Sequence, residues 1–301
     1  MGRVSRLSFN TPPPNFHFWN TVCSHGWCIL APFSVDEDEQ KLNGVLELPG
    51  HRLARVSLNR PNKRGKLVAR LESSAKLDSK ALAEARRQIA SVLRFDEDLS
   101  PFYRALSVEP SLGWARRKGA GRMLRAPTVF EDVVKMICTT NCTWSQTTAM
   151  VKRLVDAYGA SDSVAGRSFP KPEAIAADGT TSFDRNIRAG YRSAYLHKIA
   201  KDIASGKLDL ESLRTERLDG EELHRRLRTL LGVGPYAAAG LGLLLGSYDR
   251  LALDTACRKM FAERHRRGRR APDKSIERYY ERFGRYRGLA LWVELADHYR
   301  S

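Results

Sequence analysis

Long apolar runs are missing from this sequence. Apolar residues make up 42% of its 301 residues, yet no uninterrupted stretch approaches the roughly 18 needed to cross a bilayer, so a soluble chain with no membrane partner is expected. The first residues carry no apolar h-region, and no secretion signal is expected. Cysteine is scarce and odd in number, five in all, which argues for a reducing cytosol over a disulfide scaffold. Cys23 and Cys28 form one loose pair and Cys138 and Cys142 another, but neither makes the two close pairs with histidines of a zinc site. Only Cys257 lies in the last third, which excludes a four-cysteine iron–sulfur loop there. No metal and no redox cofactor is expected. Acidic residues are in deficit, 34 against 51 lysines and arginines, for a formal charge of +17. Such a field draws polyanions by counterion release, making nucleic acid the leading partner. A solubilising surface charge or an acidic protein partner is the alternative.

The chain is long enough for two domains, each with its own core. Residues 16–19, 27–30, 45–48, 53–58 and 67–71 read as strands between turn clusters at Pro49-Gly50 and Pro61-Asn62, giving an antiparallel sheet. A helix over 79–95 places Leu82, Ile89, Val92 and Leu93 on a face that packs against it. From about Pro101 strands give way to helices. Val129, Phe130, Val133, Val134 and Ile137 form one stripe; Met150, Leu154, Val155 and Tyr158 form another, ended by Gly159 as a C-terminal cap. Tyr195, Ile199 and Ile203 line up within a helix over 191–204. Residues 159–186, rich in Ser, Gly, Pro and Asp, read as a mobile loop. Leu223, Leu227 and Leu230 mark a helix, Leu231-Gly232-Val233-Gly234-Pro235 breaks it, and 236–245 resumes as a helix apolar almost all round, hence buried. The last helices are 276–283 and 287–299, and the basic run 264–270 reads as a solvated loop. The fold class is α+β: a small N-terminal antiparallel sheet domain (1–100), then a mostly helical domain (101–301) holding the functional cleft.

Two features carry chemistry. Gly232 and Gly234 sit where the backbone turns sharply and can approach something large, and N–H groups beside a helix N-terminus suit a phosphate oxygen. A tight helical hairpin with no ligand explains them as well. Downstream, Leu251-Ala252-Leu253-Asp254-Thr255 puts an aspartate at the end of an apolar segment. Asp254 is either a plain N-cap or a carboxylate, favoured as the anion by the helix N-terminus, that stabilises a cationic sugar or deprotonates water.

The run Leu231-Gly232-Val233-Gly234-Pro235-Tyr236 followed by Leu253-Asp254 resembles the hairpin and aspartate of the helix-hairpin-helix (HhH-GPD) DNA glycosylases. That superfamily includes endonuclease III, adenine glycosylase, 3-methyladenine glycosylase II and 8-oxoguanine glycosylase. Ile137-Cys138-Thr139-Thr140-Asn141 and Gly190-Tyr191-Arg192 resemble segments of the 8-oxoguanine branch. The N-terminal sheet suits a domain shared by the 8-oxoguanine and 3-methyladenine branches. The resemblance implies a monomeric base-excision repair glycosylase acting on duplex DNA with a damaged base, located in the cytoplasm or with the nucleoid if bacterial, in the nucleus if eukaryotic. It also implies residue roles: Asp254 as the catalytic carboxylate, Gly232 and Gly234 as the phosphate-binding turn, Asn141 and Arg192 as readers of the base opposite the lesion, and Tyr191 as a wedge. Cytosine is the base expected opposite.

Departures from the pattern narrow this reading. Tyr236 stands where bifunctional members have the lysine that forms a Schiff base, so water is the expected nucleophile. A lyase recruiting another lysine, such as Lys259, and a lesion binder without turnover are the rivals. An ungapped alignment places the pocket positions of the 8-oxoguanine branch at Gly240, Leu291 and Leu295, none with its usual side chain. A pocket of Tyr236, Gly240, Leu291, Trp292 and Leu295 is expected instead, holding an oxidised or alkylated purine by stacking.

Overall fold

The computed structural model describes residues 2–9, 12–62 and 65–298. Five strands, β1 (Arg3–Phe9), β2 (Ser34–Asp36), β3 (Lys41–Leu48), β4 (Arg52–Asn59) and β5 (Leu67–Ser73), form one sheet in the order β1-β5-β4-β3-β2. Every neighbouring pair is antiparallel. The period-2 alternation of β3 buries Leu42, Leu46 and Leu48, and β5 buries Leu67, Ala69 and Leu71 on the same principle. The Ser79–Val92 helix begins where Asp78 accepts from the Ala81 N–H at 2.8 Å. It turns Ala81, Ala85, Ile89 and Val92 inward and ties to β3 through Gln88 Nε2, which donates to the Glu47 carbonyl at 2.9 Å.

Two expected strands are helical turns. Residues 16–19 and 27–30 fall on a helix, Phe18–Val22, and a 3-10 helix, Gly26–Ile29. Their aromatic residues favour strands, but His17 Nδ1 accepts from Asn20 N and His25 Nδ1 from Trp27 N, each at 3.2 Å. These local bonds divert the backbone into turns. The sheet takes its edges from β1 and β2 instead.

The helical layer follows its expected stripes in Val129–Cys138, Trp144–Tyr158, Tyr191–Ala204, Gly220–Arg228, Pro235–Leu245 and Arg287–His298. Residue 299, the expected end of the last helix, lies outside the described residues. Residues 159–186 are not a structureless loop: a small hairpin (Ser161–Asp162 with Gly166–Arg167) and two helices, Pro172–Ala176 and Thr180–Ile187, occupy them. Asp162 accepts from the Val164 and Ala165 N–H groups, and polar turns of this kind look like loop in composition. Gly159 is the C-cap of the Trp144–Tyr158 helix as expected, with φ −67° and its N–H donating to the Val155 carbonyl; a side chain there would strike the Ser168 carbonyl. The basic run is half helix. Arg264, His265 and Arg266 close the Thr255–Arg266 helix, with Arg264 paired to Asp297 at 2.8 Å and His265 to Glu294 at 2.6 Å.

Buried residues of the sheet and of the helices form one continuous cluster. Long-range hydrogen bonds bind the segment between β1 and β2 into the helical layer, among them three from ring nitrogens. Trp27 Nε1 donates to Asp132 Oδ1 at 2.9 Å, His25 Nε2–H to the Leu124 carbonyl at 2.7 Å, and Trp292 Nε1 to the Ser24 carbonyl at 3.1 Å. Among the described residues no helix is long and apolar enough to cross a membrane.

Candidate active site

The Gly220–Arg228 and Pro235–Leu245 helices meet in a hairpin anchored by buried Leu223, Leu227, Leu230 and Val233. Its two glycines differ. Gly232 has φ +81°, and a Cβ there would lie 2.7 Å from the Tyr195 ring, so conformation and space both demand glycine. Gly234 is extended at φ −78° and N-caps the second helix with no side-chain bond. A Cβ at Gly234 would meet nothing within 4 Å. With Pro235 at the first helical position, the first N–H groups of this helix have no intrahelical partner, and residues 234–237 line an open groove.

Asp254 N-caps the Thr255–Arg266 helix, Oδ1 accepting from Cys257 N at 2.7 Å. The cap reading is therefore correct locally. An open groove of about 990 Å³ runs along the hairpin past Asn141, Tyr191 and Leu253 to Asp254. A smaller cavity of about 290 Å³ opens behind it, walled by His25, Trp27, Trp144, Tyr236, Trp292, Met123 and Met136. Thr139, Cys142, Tyr236 and Asp254 line both. The carboxylate thus stands at the doorway between them. The cavity lies near the lower end of small-molecule sites, roughly 300–1,000 Å³, a size that suits one planar ring system.

The cavity walls offer ring faces with few free donors. The indole N–H groups of Trp27 and Trp292 point away to Asp132 and Ser24. His25 donates through Nε2 to Leu124 and accepts at Nδ1 from Trp27, which fixes its tautomer. Burial pushes the His25 pKa down to about 4 against the pull of the Leu124 carbonyl, so its ring is neutral at neutral pH. Burial first, and the charge of Asp254 second, push the Tyr236 hydroxyl up to about 12. Tyr236 is a neutral phenol there.

The sequence pattern described as HhH-GPD superfamily base excision DNA repair protein matches residues 134–288, just over half of the chain. The chain belongs to the HhH-GPD superfamily. One relative, the DNA-3-methyladenine glycosylase of Bacillus subtilis, is 26% identical over 181 residues, 59% of each sequence. The chain thus spans under two thirds of that relative's length. The structure of 3-methyladenine DNA-glycosylase from Archaeoglobus fulgidus matches with a TM-score of 0.74 at 19% identity, over 99% of both chains. That of Clostridium acetobutylicum 8-oxoguanine glycosylase/lyase, in complex with double-stranded DNA containing cytosine opposite 8-oxoguanine, matches with a TM-score of 0.70 at 18% identity, over 95% of this chain and 93% of that one. At such identities the likeness establishes the shared fold.

Within this HhH-GPD fold, Tyr236, Gly240 and Trp292 line the cavity, but two expected pocket residues do not. Leu291 and Leu295 are buried, 1% and 7% exposed, and contribute to the core. Four residues apart, they share one face of the Arg287–His298 helix while Trp292 projects from the next. Gly240 seats a neighbour: a Cβ there would lie 2.7 Å from the Met136 methyl. Asn141 and Tyr191 face the groove, and Asn141 Nδ2 donates to the Tyr191 hydroxyl at 3.2 Å. Arg192 does not line the groove; it is 7% exposed and bonded to backbone carbonyls. Lys259 is exposed, 4.0 Å from Glu263, and lines neither space.

Sequence reasoning missed His25, Gly26, Trp27 and Trp144. Trp27 opens a segment read as a strand and His25 and Gly26 lie just before it, all within the part of the chain assigned to a separate sheet domain, which the fold carries into the helical layer. Trp144 packs directly over Gly26, where any Cβ would collide with its ring. Its place just after the Asn141 turn was the one local signal.

The neutral His25 gives a pH test. Its folded pKa lies below the unfolded value of about 6.5, so its contribution is complete above about pH 6.5 and is lost as pH falls toward 4. The loss should reach up to roughly 3 kcal/mol. Denaturant unfolding of the parent and of His25→Gln from pH 7 to pH 4 should show a shallower decline for the variant. Parallel curves would mean that His25 is protonated without cost.

Proposed function

We propose that this HhH-GPD protein is a monofunctional DNA glycosylase that takes a damaged purine from duplex DNA and hydrolyses its N-glycosidic bond. The observation that carries this reading is the position of Asp254, where a groove bordered by the hairpin meets an aromatic-walled cavity. A base turned out of the duplex would enter the cavity with its sugar left at the doorway. The bond between C1′ and the base nitrogen breaks, its electron pair leaves with the base, and positive charge develops on the sugar. Asp254 stabilises that charge and takes a proton from the water that adds to C1′. Extrusion costs a few kcal/mol, offset by phosphate contacts at the hairpin and by stacking, worth about 1–3 kcal/mol per base.

With ring faces for walls and the indole donors of Trp27 and Trp292 turned away, the cavity selects by stacking more than by a hydrogen-bond pattern. That favours an alkylated or otherwise electron-poor purine over 8-oxoguanine, whose recognition calls for specific donors and acceptors. The test is a panel of duplexes, each with one modified base, incubated with the protein and scored for alkali-labile abasic sites. Release of alkylated purines is expected. No abasic sites on any duplex would overturn the reading.

The glycines supply a further check. Gly234→Val should cost at most about 1 kcal/mol of stability, from the poorer N-cap residue, since its Cβ meets nothing within 4 Å. It should weaken binding to every duplex alike by blocking the phosphate approach. Gly232→Ala should instead cost roughly 1–3 kcal/mol of stability, because it forces a left-handed alanine into the Tyr195 ring. Thermal melts with fluorescence anisotropy on a short duplex separate the two. If Gly234→Val binds as tightly as the parent, the hairpin is a turn and nothing more.

A further inference from the structure

We infer that the seam between the sheet and the helical layer holds a binding site for a small organic polyamine, separate from the base cavity and independent of the glycosylase reading. A cleft of about 520 Å³ opens there, within the roughly 300–1,000 Å³ usual for small-molecule sites. It shares no lining residue with the groove or the cavity at Asp254. One wall comes from β3, the turn between β3 and β4 and the Ser79–Val92 helix. The other comes from the start of the Val129–Cys138 helix and from residues 168–173 and 209–211. Pro49, Pro127, Pro170 and Pro172 stand along these walls, and their fixed φ angles stiffen the cleft before any ligand arrives.

In a chain of formal charge +17, this cleft is acidic. Glu47, Glu84, Glu131, Glu173, Asp209 and Glu211 line it, against Lys171 alone of the lysines and arginines. Three of these carboxylates are neutralised: Glu47 by Lys171, Glu131 by Lys135 and Glu84 by Arg87, each at 2.6 Å. Glu211 Oε1 accepts from the Val129 and Phe130 N–H groups at 2.8 and 3.2 Å, and Asp209 Oδ1 from those of Glu211 and Ser212 at 2.9 and 3.2 Å. Such bonds fix a carboxylate without cancelling its charge. Among the described residues no lysine or arginine forms a salt bridge with Glu173, Asp209 or Glu211. A single metal ion does not answer this surplus, since among the described residues no three acidic, histidine or cysteine groups converge to hold one. The remaining wall is apolar, with Phe130 and Phe169 edge to face, 6.2 Å between centroids, beside Leu48, Ile203 and Leu210. A ligand whose ammonium groups are separated by methylene segments satisfies both surfaces, its charges at the carboxylates and its methylenes on the rings and aliphatic side chains. Ser168, in the same wall, is 2% exposed and its hydroxyl has no hydrogen-bond partner. Buried hydroxyls are rarely left so, and this one is an acceptor for a further N–H.

The full-length protein should be titrated with spermidine in the absence of DNA, by calorimetry and by thermal melts, with magnesium and n-butylamine at matched ionic strength as controls. Spermidine should bind one to one and raise the melting temperature saturably, and neither control should do so. The double variant Glu173→Gln/Asp209→Asn removes two of the surplus charges and keeps the Asp209 turn, because asparagine offers the same Oδ1 acceptor. Its unliganded melting temperature should match the parent's, while spermidine should bind roughly tenfold more weakly. Ser168→Ala deletes a hydroxyl with no partner, so the unliganded fold should lose nothing and spermidine affinity should fall roughly 2–10-fold. Equal responses to spermidine and magnesium, or undiminished binding in the double variant, would reduce the cleft to a patch of negative potential and overturn the inference. Neither heat nor a melting shift at millimolar spermidine would overturn it as well.

Discussion

Asp254→Asn is expected to bind damaged duplex as well as the parent while losing roughly 10²–10⁴-fold in single-turnover base release. The amide keeps the shape of the side chain but neither stabilises a cationic sugar nor takes a proton from water. The substitution also separates the cap at Asp254 from its proposed catalytic role. Its Oδ1 caps the Thr255–Arg266 helix through Cys257 N, and asparagine caps a helix about as well as aspartate. Stability should therefore hold while chemistry fails. Asp254→Ala would lose both, with about 0.5–2 kcal/mol of stability going with the cap. An asparagine variant that releases base at the parental rate would reduce Asp254 to a cap.

Tyr236 carries the second large effect. It lines groove and cavity together at the start of the Pro235–Leu245 helix, and its neutral phenol cannot form an imine with the opened sugar. Tyr236→Ala should slow base release by about 10–100-fold through the lost stacking face, while Tyr236→Phe, which keeps the ring, should stay near the parental rate. Neither the parent nor either variant should give a covalent protein–DNA adduct with borohydride, and product strands should stay intact until alkali is added. A trapped adduct would falsify the water mechanism and send the search to another amine. Lys259 is a poor candidate for that role, with an exposed side chain beside Glu263 on the Thr255–Arg266 helix.

The α+β layout, the helix stripes, the hairpin and the N-cap at Asp254 were all legible in the sequence, because each depends on residues close together along the chain. A helical stripe repeats every three or four positions, a glycine turn is a few residues long, and an N-cap is defined by its own next turn. Where local side chains competed with propensity, as at His17 and His25, the reading failed, and two strands proved to be helical turns.

The cavity was not legible, because its walls come from distant parts of the chain. Trp27 and Asp132 are 105 positions apart, and Ser24 and Trp292 are 268 apart. No periodicity links such residues, and only packing of the 23–30 segment against the helical layer brings them together. The same holds at the groove. The sequence marked Asn141, Tyr191 and Arg192 as a group, but a cation in a sequence carries no direction. Tertiary structure turned Asn141 outward and Arg192 inward, since carbonyls left over at a helix end need donors and the nearest guanidinium supplies them.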